Sequence, residues 1–159
     1  MTFKIILIFY LLFPVSILQA KVRTLKNWKT RSCEHRADEL SCVQYLNNYD
    51  GDTITFDIPD LHPIVGEQIS VRVYGIDAPE VRTKNECEKA LAMQAKQEVK
   101  DLMLKAERID LLNAQRGKYF RILAEVYVNG RSLSDHLINE GLAVPYEGGT
   151  RPDVDWCKY

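Results

Sequence analysis

The sequence predicts an α+β fold, a small barrel of strands with two to three helices set among them. Two runs alternate apolar and polar residues at the period of a strand, and one long stretch repeats apolar residues every three or four positions. The order along the chain is strands, helix, strands, helix. The 159 residues suit one compact domain. With 46% hydrophobic and 27% charged residues, the composition excludes a disordered or fibrous chain.

The elements follow in order. Lys4, the apolar run Ile5 to Val15 and the small residue Ala20 form a secretory signal pattern over residues 1–20. That run is short of the roughly 20 residues a membrane span needs. An uncleaved anchor and a core helix are the competing readings. Residues 21–40 are a polar extension carrying Arg23, Lys26, Lys29 and Arg31 around Trp28, read as a solvated linker ahead of a domain spanning 41–159. Val43, Tyr45 and Leu46 then lead to the turn pair Asp50-Gly51. Beyond it Ile54, Phe56 and Ile58 share one face of a strand. After a loop with Pro59, Pro63 and Gly66, Ile69, Val71 and Val73 share one face and Ser70, Arg72 and Tyr74 the other.

Leu91, Ala95, Val99, Leu102 and Ala106 mark the long helix, with Met93 and Met103 expected as packing residues. Strands are predicted around 108–113 and 120–128. A short helix is predicted from the N-cap Ser132 to Gly141, before a turn-rich end.

Charge and cysteine content narrow the setting. Lys4 is the one charged residue in Met1–Ala20, so cleavage leaves 20 basic against 22 acidic residues, a net charge of −2. That excludes the basic footprint of a tight, sequence-tolerant DNA binder. Cys33, Cys42, Cys87 and Cys157 lack zinc-ligand spacing and read as two disulfides of an oxidising compartment. Of three connectivities, Cys33–Cys42 with Cys87–Cys157 is favoured: one closes a local loop, the other ties the helix start to the chain end. The expected location is secreted or periplasmic, and nothing in the sequence requires a protein partner, so a monomer is expected.

Two short motifs carry the chemistry. Asp50-Gly51-Asp52-Thr53 alone reads as a hairpin turn, and Arg72 followed by Asp77-Ala78-Pro79-Glu80 alone reads as a strand end with solvated charges. Together they put Asp52 and Asp77 at the ends of neighbouring strands, where they can converge on one cation. Carboxylates with no histidine or thiolate beside them favour Ca²⁺ or Mg²⁺ over zinc. Glu80 is placed to orient or deprotonate a water, and Arg72 to grip a phosphate. His35, His62 and His136 are scattered and take no role.

These motifs strongly resemble the staphylococcal nuclease-like (thermonuclease) family. The resemblance extends through Lys118-Tyr119-Phe120-Arg121 and Asn139-Glu140-Gly141-Leu142-Ala143, covering about residues 41–146. It implies a five-stranded barrel of the oligonucleotide-binding (OB) type and a calcium-dependent nuclease acting on DNA or RNA. By position, it implies Asp52, Asp77 and the backbone carbonyl of Ala78 as calcium ligands, Glu80 as general base, and Arg72 and Arg121 on the scissile phosphate. It further implies Asp50 as support for the metal site and Lys118, Tyr119 and Tyr146 as substrate contacts. Phe120 departs from the family, standing where a glycine is usual. An inactive nucleic-acid-binding barrel or an envelope interaction module is the alternative, set against the joint presence of Asp52, Arg72, Asp77, Glu80 and Arg121.

Overall fold

A computed structural model of the protein describes residues 22–117 and 121–159. The leader expected over residues 1–20, and Lys118, Tyr119 and Phe120, lie outside the described residues. Among the described residues, no helix is long and apolar enough to cross a membrane.

Strands β1 (Gln44–Asn48) and β2 (Thr53–Asp57) form a hairpin, and β2 pairs antiparallel with β3 (Ile69–Val73). The one-sided burial that the alternation predicts is met, with Ile54, Phe56, Val71 and Val73 at most 1% exposed. Strands β5 (Ile109–Arg116) and β6 (Ile122–Val128) form a second hairpin. It joins the first through a parallel β3–β6 pairing, giving the order β1-β2-β3-β6-β5.

The two ends of this sheet meet. Leu40 and Leu111 exchange backbone hydrogen bonds of 2.9 Å, and the Val43 N–H donates to the Ile109 carbonyl at 3.0 Å. The chain entering β1 thus runs along β5 and curls the sheet into the OB-like barrel expected of the sequence. Ile54, Phe56, Val71, Leu111 and Val126 are all buried in its core.

Short elements complete the structure. Helix α1 (Pro63–Gly66) fills the loop after β2, and β4 (Gly75–Asp77) pairs antiparallel with β8 (Val144–Tyr146). The two-residue β7 (Arg131–Ser132) pairs with β6. None of these is long enough to show a period, so sequence patterning does not reveal them.

Helix α2 (Glu86–Leu104) begins earlier than its apolar repeat. The Asn85 side chain caps it, accepting the N–H groups of Cys87 and Glu88. Its buried face is Ala92, Ala95, Val99 and Met103. Met93, expected to pack, is 52% exposed, because that face is rotated from the one passing through Leu91. Helix α3 (Leu133–Asn139) is capped by Ser132, as its sequence predicts.

The stretch read as a solvated linker is joined to the barrel. Arg23 pairs with Asp135, and its carbonyl accepts the Ser132 N–H at 2.8 Å. The Arg108 guanidinium donates to the carbonyls of Arg31 and Ser32 while pairing with the buried Asp110. These partners lie over a hundred positions away from Arg23, or more than seventy from Arg31, where local composition carries no trace of them.

The cysteines pair Cys33–Cys42 and Cys87–Cys157. The second bridge and the buried Trp156 hold the C-terminal segment against the start of α2. On the loop-entropy model, removing the long-range bridge with a Cys87→Ser/Cys157→Ser pair should cost about 4 kcal/mol, and the Cys33–Cys42 bridge about 2.5 kcal/mol. Urea unfolding of the two double variants should rank them in that order.

Candidate active site

The site begins in the β1–β2 turn. Asp50 is buried, and one of its carboxylate oxygens accepts the backbone N–H groups of Asp52 at 3.1 Å and Thr53 at 2.7 Å. The Asn48 amide donates to the carbonyls of Asp50 and Lys96, fastening the turn to α2. Asp-Gly in a hairpin usually signals a glycine with positive φ. Gly51 is not of that kind, and its need is for space. A Cβ there would lie 3.0 Å from both the Ala78 and the Ala95 Cβ atoms. The missing side chain lets α2 and the segment after β4 close on the turn.

The register of β2 against β3 sets Arg72 opposite Thr53, beside Asp52. The guanidinium forks across both predicted metal-ligating acids, with Nη1 on Asp52 Oδ1 at 2.9 Å and Nη2 on Asp77 Oδ1 at 3.0 Å. Asp52 Oδ1 also accepts the Thr53 hydroxyl, and Oδ2 accepts the Ala78 N–H at 3.0 Å. Both acids are almost wholly buried, at 2% and 1% exposure. Burial, reinforced by the nearby Asp50 charge, pushes the Asp52 carboxyl up to about 7, with Arg72 pulling the other way. A buried anion in that state gains from any further cation brought to it.

A second guanidinium reaches Asp77, the neighbour of Asp52 across the Arg72 fork, from Arg151, a residue the sequence reading missed. Its Nε donates to Asp77 Oδ2 at 2.7 Å, Nη1 to Glu80 Oε1 at 3.0 Å, and Nη2 to the Ala78 carbonyl at 3.2 Å. Glu80 is held from behind, its backbone N–H donating to Glu88, which also accepts the Thr83 hydroxyl. The only sequence signal for Arg151 is a basic residue in a glycine-rich segment shortly before a disulfide cysteine.

Arg72, Asp77, Glu80, Arg121, Tyr146 and Arg151 line one cleft of about 450 Å³. Tyr146 reaches it on β8, its hydroxyl donating to the Gly149 carbonyl at 2.9 Å. Asp52 and Asp50 lie behind this wall, and Lys118 and Tyr119 fall outside the described residues. A larger groove of about 720 Å³ lies between Trp28 and Tyr45, but its Arg31 and Arg108 are committed to Glu39 and Asp110. The histidines are structural: His35 accepts the Ser41 N–H, His62 caps α1 and His136 pairs with Glu98.

Among the described residues, no three carboxylate, imidazole or thiolate side chains already surround one point. The Asp52 and Asp77 carboxylates and the Ala78 carbonyl are hard oxygen donors of the kind that suits calcium. Arg151 supports that fit, because one positive group already satisfies Asp77 Oδ2, the Ala78 carbonyl and Glu80 together.

An OB-like barrel with buried acids and paired arginines at one end of its strands defines a class: α+β proteins with a cleft of mixed charge at the strand ends. A family model for staphylococcal nuclease homologues matches residues 70–155, more than half of the chain, and the protein belongs to that family. Endonuclease YncB of Bacillus subtilis (strain 168) is 34% identical over 84 residues, 49% of this chain and 38% of that protein. The SPbeta prophage-derived endonuclease YokF of the same strain is 34% identical over 111 residues, 66% of this chain and 34% of that protein. The chain thus spans little more than a third of the length of these relatives.

Gly51→Ala tests the packing of the site. The added methyl must push α2 or the Ala78 segment outward, a cost of roughly 1–3 kcal/mol for overpacking. Thermal unfolding should show that loss, and an unchanged midpoint would mean the turn has room to spare.

Proposed function

We propose that the protein is an exported, calcium-dependent nuclease that hydrolyses phosphodiester bonds of DNA or RNA by in-line attack of water. The observation that carries this reading is the convergence of Asp77, Glu80, Arg72 and Arg121 on one cleft, with Asp52 buried directly behind and the Ala78 carbonyl sharing the Arg151 guanidinium with Asp77. The endonuclease names of two relatives support it, as do the leader pattern and two disulfides for export.

Asp52, Asp77 and the Ala78 carbonyl would hold the calcium ion, with Asp50 fixing the turn that presents Asp52. Bound there, calcium supplies polarisation of a phosphoryl oxygen and a lowered pKa for its water. Outside the cell, free calcium is abundant enough for a weak site of this kind.

The remaining work falls to the chain's own side chains. Glu80, partly exposed at the cleft mouth, accepts the proton of the attacking water. Arg121, which forms no ion pair among the described residues, meets the phosphate oxygens that gain charge as the bond to the leaving oxygen breaks. Arg72 shares its fork between the acids and the phosphate, so it sets the spacing of ligand and substrate. Tyr146 lines the cleft as a nucleotide contact, and the family resemblance assigns Lys118 and Tyr119 the same role.

Digestion of single-stranded DNA and RNA by the purified, disulfide-bonded protein tests this reading. Cutting should require calcium, stop in excess chelator, and fall on the order of 100-fold or more in Glu80→Gln and in Arg121→Gln. Full activity with chelator present would sink the calcium mechanism. Nucleic-acid binding without cutting would make the barrel a binding module.

A further inference from the structure

The position of Arg151 has a consequence for the metal site itself. Its guanidinium satisfies three oxygens at once: Asp77 Oδ2, Glu80 Oε1 and the carbonyl of Ala78. Two of these belong to groups assigned to the cation and the third to the group assigned to the water. A guanidinium placed across these three oxygens competes with a calcium ion for them.

The segment bearing Arg151 can deliver and withdraw it. Arg151 follows Gly148 and Gly149, both in the left-handed region at φ 103° and 92° with open space where a side chain would be. Beyond it the chain is anchored by the buried Trp156 and the Cys87–Cys157 bridge to α2. The arginine therefore sits on a short strap, between two positive-φ glycines and an anchored chain end, with the Tyr146 hydroxyl on the Gly149 carbonyl. It is 43% exposed, so it can leave the oxygens for water without breaking the core.

We propose that Arg151 is a resident counter-ion of the metal site, which must leave Asp77, Ala78 and Glu80 before a divalent cation binds and so sets the metal affinity. The inference rests on the calcium reading of that site. The arginine neutralises Asp77 and Glu80 together. Metal binds only the fraction of molecules in which the arginine is withdrawn, so apparent affinity is reduced by that fraction. If the latch is closed in about nine molecules of ten, the reduction is about tenfold.

Calorimetric titration with calcium chloride of the disulfide-bonded wild type, Arg151→Gln, Arg151→Lys and Arg82→Gln tests this. Arg82 lies two residues from Glu80 and packs over the Tyr49 ring, so its variant removes the same charge without opening the oxygens. Arg151→Gln should bind calcium about tenfold tighter than wild type. Arg151→Lys should fall between them, and Arg82→Gln within twofold of wild type. Equal or weaker binding in Arg151→Gln overturns the proposal, as does the same tightening in Arg82→Gln. If the wild type binds calcium and cuts nucleic acid while Arg151→Gln shows no gain, the latch fails and the nuclease reading stands. If no variant binds calcium, the metal reading fails and the latch with it.

Discussion

The fork of Arg72 across Asp52 and Asp77 is the contact on which the rest of the site depends. Two carboxylates buried to this degree would be costly without partners, and removing one partner of such a set leaves an uncompensated charge. Arg72 sits on β3, Asp52 at the start of β2 and Asp77 at the end of β4, so one guanidinium ties three strand ends together. The Ala78 N–H on Asp52 and the Asp50 turn complete the holding of Asp52. Gly51 admits α2 close enough to back the whole arrangement. The barrel supplies rigid strand ends, and the acids are placed at those ends, where a site is held more firmly than on loops alone.

The opposite wall is built differently. Arg151 and the chain around it are held by one disulfide, one tryptophan and ion pairs to the acids themselves. The site thus joins a fixed half from the barrel to a half whose position depends on charge. If the cleft takes a cation as proposed, the barrel half would keep the ligands in register and the Arg151 half would offset the charge of Asp77 and Glu80.

Legibility in the sequence followed the physics of each feature. Ile54, Phe56, Val71 and Val73 declare their strands because one-sided burial imposes a period of two. Asp52, Arg72, Asp77 and Glu80 could be singled out because their chemistry needs those residue types at close spacing, and the structure brings them to one cleft or directly behind it. Barrel closure through Leu40 and Val43 is backbone pairing over some seventy residues, which leaves no side-chain pattern. The packing of residues 22–40 is hidden for the same reason. Arg151 could not be found, since its place depends on where the strap runs, and that depends on the bridge to Cys87. Met93 is exposed against expectation because a helical repeat fixes a period, while its phase depends on what the helix meets.

On the function proposed above, the buried pair Asp52 and Asp77 seats a divalent cation. Anomalous diffraction from crystals grown with calcium tests this most directly. One strong peak bounded by Asp52, Asp77 and the Ala78 carbonyl is expected, with the Arg151 guanidinium moved off Asp77 and the Ala78 carbonyl. No peak there at saturating calcium, with Arg72 and Arg151 still closed over the acids, would contradict it.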